Sequence, residues 1–121
     1  MEKDFTRIKE IEKEKEQGRI YMNKKDFTQI IETLDGVPIM DEKTPFAYSA
    51  AAINALLATY QDEPTLSGIE KVTRFSLAQR IHLNPKEVTL SDAETQLIKD
   101  VIGKSYNALV TGQTYKMLDK E

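Results

Sequence analysis

Few residues in this chain have the type and spacing that chemistry needs. A serine nucleophile activated by a histidine would have to use His82, the one histidine present. His82 falls at the end of an apolar-periodic segment, where a cation complements a helix dipole, so capping or solvation is its simpler role. Cysteine is absent, which excludes disulfides, thiol nucleophiles and thiolate metal sites. One histidine without cysteine also leaves no zinc site. The acidic pairs Asp41-Glu42 and Asp62-Glu63 could serve acid–base or Mg²⁺ work, but both stand in loop-like stretches beside Pro and Thr. Neither follows the calcium-loop pattern, and both read as solvated loop charge. No phosphate-cradling glycine loop, G-x-S-x-G elbow or H-E-x-x-H pair is found. No catalytic, cofactor-binding or metal-binding residue is therefore assigned, and the chain is expected to be neither an enzyme nor cofactor-dependent.

Basic residues give no better site. Lys71 and Arg74 would be neighbours on a helix, but Arg80 points almost opposite Lys71, and Lys99 and Lys104 flank Asp100. A net charge of -3 also disfavours nucleic acid, which selects for excess Lys and Arg. Tyr48, Tyr60, Tyr106 and Tyr115 read as core-edge residues with wet hydroxyls rather than stacking platforms. With 40% apolar and 31% charged residues, the chain has the balance of a soluble globular protein. Its most apolar stretch, Pro45–Tyr60, is too short and too rich in small and polar residues for a membrane span. No signal peptide is read at the start, so the cytoplasm, or a particle assembled there, is the expected place.

The elements that would hold any site divide at residue 21. Residues 1–21 carry six basic and six acidic side chains with no net charge, a pattern that supports a solvated helix or extension. Its apolar residues Phe5, Ile8 and Ile11 form a stripe of barely two turns and are the partner-binding candidates. Purine-rich codons for Glu14–Arg19 would also suit a translated ribosome-binding site, with Met22 as the natural start.

Residues 22–121 read as one mainly α domain of four to five helices, with a short two-stranded β bridge or N-terminal hairpin as an addition. Phe27, Ile30, Ile31 and Leu34 favour a short helix, with Asp26 and Gln29 as a variant capping box and Gly36 closing it. Asp35-Gly36 is equally a hairpin signal, which stays open. Thr44 and Pro45 suit the N-cap and first position of the next helix. That helix carries a large-residue stripe from Phe46 to Tyr60 and a small face of Ala47, Ala51, Ala55 and Ala58.

Ser67-Gly-Ile-Glu70 and Ser91-Asp-Ala-Glu94 are capping boxes opening two further helices, about 68–82 and 92–106. The first is apolar nearly all round, which predicts a central helix with Lys71, Arg74 and Arg80 reaching water along their stems. On that reading Phe75→Ala should cost roughly 3–5 kcal/mol. The second is cleanly amphipathic. Glu87–Leu90 reads as extended and could pair with Val37–Ile39. The last helix, about 108–118, is expected to be interrupted or bent near Gly112.

The segments Leu66–Ile81, Val88–Ser91, Leu97–Tyr106 and Val110–Gln113 resemble short helical proteins of unassigned role from tailed phages and prophages. The resemblance covers about residues 27–118 and rests on packing and capping signatures. It implies a bacterial host cytoplasm or a phage particle as the setting. Together with the missing chemistry, it leads to a non-enzymatic protein acting through protein–protein interaction with a host or phage partner. A structural or assembly factor and a nucleic-acid-binding regulator are the alternatives. Self-association stays open.

Overall fold

A serine placed three residues before a glutamate caps a helix from both sides, and the chain uses this device twice. We describe residues 22–63 and 65–120 from a computed structural model. Ser91 Oγ accepts from the Glu94 N–H at 3.1 Å while the Glu94 carboxylate accepts from the Ser91 N–H at 2.9 Å. Ser67 and Glu70 form the same reciprocal pair. The described helices are α1 (Tyr48–Leu57), α2 (Gly68–Leu83), α3 (Asp92–Ser105) and α4 (Ala108–Asp119). The strands are β1 (Met22–Lys25), β2 (Met40–Asp41), β3 (Thr44–Pro45) and β4 (Val88–Ser91). The described residues are thus mainly helical, with two small antiparallel sheets. Among the described residues no helix is long and apolar enough to cross a membrane.

Helix α1 packs on both α2 and α3, and α3 packs on α4. Ala51, Ala52 and Ala55 are completely buried, so small side chains let α1 approach its neighbours closely. Facing it are Leu77, Ala78 and Ile81 of α2 and Ile98, Val101 and Ile102 of α3. Helix α4 adds Val110, Met117 and Leu118, and it runs without interruption through Gly112, contrary to the expected bend. A buried Thr114 hydroxyl donates to the Val110 carbonyl at 2.8 Å, so no polar group is stranded there.

The N-terminal arm departs from the sequence reading. Residues 26–39 form no helix. Asp26 accepts from the Thr28 amide at 2.8 Å, an Asx turn that captures the carboxylate before it can cap a helix. The same Thr28, through its hydroxyl and then its amide, holds the Asp26 carboxyl below its ordinary range. Phe27 and Ile31 are buried as an i, i+4 pair would be, but the third position of that stripe, Leu34, is 95% exposed. The chain instead folds back. Thr33 N–H donates to Val37 O at 2.8 Å and Gly36 N–H to Thr33 O at 2.9 Å, with Gly36 at φ +86. Nothing lies within 4 Å of a Cβ built at Gly36, so the cost of Gly36→Ala is conformational alone. Denaturant unfolding should show a loss of about 1–2 kcal/mol.

Two other boundaries move for related reasons. Thr44-Pro45 forms β3, paired with β2, and α1 starts at Tyr48 behind Ala47, which makes no side-chain cap. The Tyr48 and Ser49 amides donate to the carbonyls of Gln29 and Phe27 at 3.0 and 2.9 Å. Backbone oxygens of the arm therefore cap α1, replacing the local cap expected at Thr44. Val88–Ser91 pairs with Met22–Lys25, not with Val37–Ile39. The latter segment is already engaged, because the Ile39 N–H donates to Ile31 O and the Ile39 carbonyl accepts from the Phe46 N–H. Finally, the Gln113 side-chain amide bonds both the N–H and the C=O of Glu32, tying the arm to α4.

Candidate functional site: the outward face of α2 and the adjoining cavity

Helix α2 is not central. Only Arg74, Leu77, Ala78 and Ile81 are buried, whereas Ile69, Val72, Phe75 and Leu83 are 80, 61, 56 and 74% exposed. At 3.6 residues per turn these four fall within about a third of the helix circumference, opposite the buried side. The helix is apolar all round because it has two apolar faces, one on α1 and one on solvent. Ser76 and Gln79 complete the outer strip. Arg80 marks its rim, donating to Thr89 O at 3.0 Å and holding Glu94 in a two-point ion pair at 2.9 Å. Burial pushes the Glu94 carboxyl up, but Arg80 and the Ser91 N–H outweigh it and leave it below the usual range.

At the N-terminal end of α2, the connection from α1 turns over a cavity of about 390 Å³. Leu56, Leu57, Tyr60 and Leu66 supply apolar wall, and Glu63, Lys71 and Arg74 supply charge. Arg74 does not snorkel to water. Its two terminal nitrogens hold Glu63 Oε1 and Oε2, each at 2.9 Å, and both side chains are largely buried. Lys104 reaches the same carboxylate at 2.6 Å and Asp62 at 3.1 Å, with its ammonium over the Tyr60 ring at 5.3 Å. Hydrogen bonds from Arg74 and then Lys104 hold the Glu63 carboxyl down at about 2. Among the described residues, Arg74 Nε is the one buried side-chain polar atom with no hydrogen-bond partner.

These placements correct several expectations. Glu63 is the anchor of an internal ion-pair cluster and not solvated loop charge; its neighbour Asp62 stays at the rim. Arg74, half of the basic pair at 71 and 74, is turned inward and neutralised. Asp41-Glu42 lies at the tip of the β2–β3 hairpin, Glu42 having φ 63. His82 is exposed in the last turn of α2. The Tyr60 and Tyr115 hydroxyls are not left to water, since they donate to the carbonyls of Ala55 and Lys99 at 2.6 and 2.9 Å. Phe5, Ile8 and Ile11 lie outside the described residues. Among the described residues no group of three or more acidic or histidine side chains is placed to hold a metal ion. Sequence periodicity did flag Ile69, Val72 and Phe75 as apolar, but it assigned them to the core. The Glu63–Arg74 pair joins a loop to a helix, which no periodic pattern reveals. The chain matches no protein-family model, no curated protein and no solved structure.

Proposed function

We propose that the protein is a non-enzymatic interaction module that docks a protein partner on the outward face of α2. The setting is the phage or prophage one that its C-terminal half resembles. The observation that carries the reading is the exposure of Ile69, Val72, Phe75 and Leu83 as one strip on a helix whose N-terminus is closed by a capping box. Contiguous exposed apolar surface is expensive to keep in water and is the usual mark of a binding face. Phe75 is its natural anchor, since buried aromatics dominate interface energetics. Charge narrows the partner. Lys71 borders one side of the strip, while Arg80 on the other side is already paired with Glu94. The complementary surface is apolar, with an acidic group placed to meet Lys71.

A photo-crosslinking residue at Val72 should capture one partner in stoichiometric yield in the native host, and the same residue at Gln96 on α3 should not. Phe75→Asp should weaken that complex at least tenfold, the effect of losing more than 1.4 kcal/mol, without lowering the thermal midpoint of the free protein. Equal capture from both positions, or an unchanged affinity, refutes the assignment of this face. Capture of a second copy of the chain would move the reading to the assembly factor.

A further inference from the structure

We infer that the cavity beside α2 is a binding site for a carboxylate carried on an apolar group, an inference that shares Lys71 with the outward face but does not depend on a partner docking there. Its volume of about 390 Å³ lies in the range of small-ligand sites. Leu57 and Leu66 offer apolar contact at the cavity wall. The charged residues of the wall are Lys71, Arg74 and Glu63, which leave one positive charge in excess. A monoanion balances that charge; a dianionic phosphate overshoots it, and an amine adds to it.

Arg74 supplies the directional element. A guanidinium has five N–H donors in a fixed fork. Glu63 takes one from each terminal nitrogen, which leaves the Nε–H and its neighbouring N–H as the free edge of the fork. The Nε is buried and has no hydrogen-bond partner, so the wall that Arg74 contributes to the cavity carries one unmet donor. A carboxylate seated on that edge satisfies the fork in the two-point geometry that arginine favours. Lys71 completes the charge at the mouth. Lys104 meets the same Glu63 carboxylate at 2.6 Å, on the side of the fork away from that free edge. The carboxylate belongs either to a free small acid or to the C-terminus of a polypeptide.

Amide and arginine side-chain NMR signals of the full chain distinguish these sources. Hexanoate, hexylamine and an N-acetylated leucyl-phenylalanine with a free C-terminus are titrated in turn, with the amidated peptide as control. Saturable shifts at Leu57, Leu66 and Lys71, together with movement of the Arg74 Nε–H signal, are expected with hexanoate, the free peptide or both, and not with hexylamine or the amide. Hexanoate alone identifies a small acid; the peptide alone identifies a polypeptide terminus. Lys71→Met, at an exposed position that leaves the fold intact, should weaken binding about tenfold, the loss of one charge-assisted contact. Shifts of similar size with hexylamine, non-saturating shifts, or an unmoved Arg74 Nε–H signal overturn the inference.

Discussion

Phe27→Ala should lower the stability of the protein by about 3–5 kcal/mol, while Phe75→Ala should change it by less than about 1 kcal/mol. The two phenylalanines differ in place, not in chemistry. Phe27 is completely buried where the N-terminal arm meets the rest of the fold. Its N–H donates to Pro85 O at 2.7 Å and its carbonyl accepts from Ser49 at the start of α1. Deleting that ring leaves a cavity under the residues that cap α1. Phe75 projects from the outward face of α2 and is 56% exposed, so its truncation removes little packed surface. A loss of this size for Phe27→Ala is a large share of the 5–15 kcal/mol typical of a domain. Equilibrium denaturation of both variants checks the contrast. A costly Phe75→Ala would return α2 to the centre of the fold and remove the proposed docking face.

Glu63→Gln should destabilise by about 3 kcal/mol at neutral pH, because it leaves the Arg74 guanidinium buried without its counter-charge. The effect should depend on pH in a definite direction. The Glu63 carboxyl titrates at about 2 in the folded protein, against an ordinary value of 4.5. The folded state therefore binds that proton more weakly than the unfolded state, and the ion pair stabilises the fold in full above pH 4.5. That contribution fades as the pH falls from 4.5 toward 2. Wild type and Glu63→Gln should accordingly converge in stability across this window when urea unfolding is followed at successive pH values. A gap that persists unchanged at pH 2 would show that the loss comes from packing and not from charge.

Much of the helical frame was legible in the sequence, because its signals are local. Ser67/Glu70 and Ser91/Glu94 each contain a complete cap within four residues, and the structure forms both. The stripe of Ile98, Val101 and Ile102 matches the buried face of α3. Alanines at 51 and 55 announced the close approach of α1 to its neighbours. The arm was less legible, because its pairing partners are distant. Met22–Lys25 has the composition of a solvated turn and becomes a strand only because Val88–Ser91 lies beside it. Its lysines also suit an edge strand, where charge discourages further pairing. The candidate site was half legible. Periodicity finds the apolar residues of α2 but cannot tell a helix buried on all sides from one with a core face and a free face. Only the position of α1, on one side alone, decides between them.

The tie between Gln113 and Glu32 bears on how the chain is made. A ribosome delivers residues in order, and the arm emerges long before its partners. Residues 22–25 wait for 88–91, and Glu32 waits for Gln113. Helix α1 takes its first two caps from Phe27 and Gln29, which precede it in the chain, but the strand β1 just ahead of them has no partner before β4 is made. Such contacts carry a large loop-closure cost before they repay it. These native contacts of the arm can thus close only late in synthesis. The Phe27 N–H in particular meets its acceptor only once Pro85 has been made.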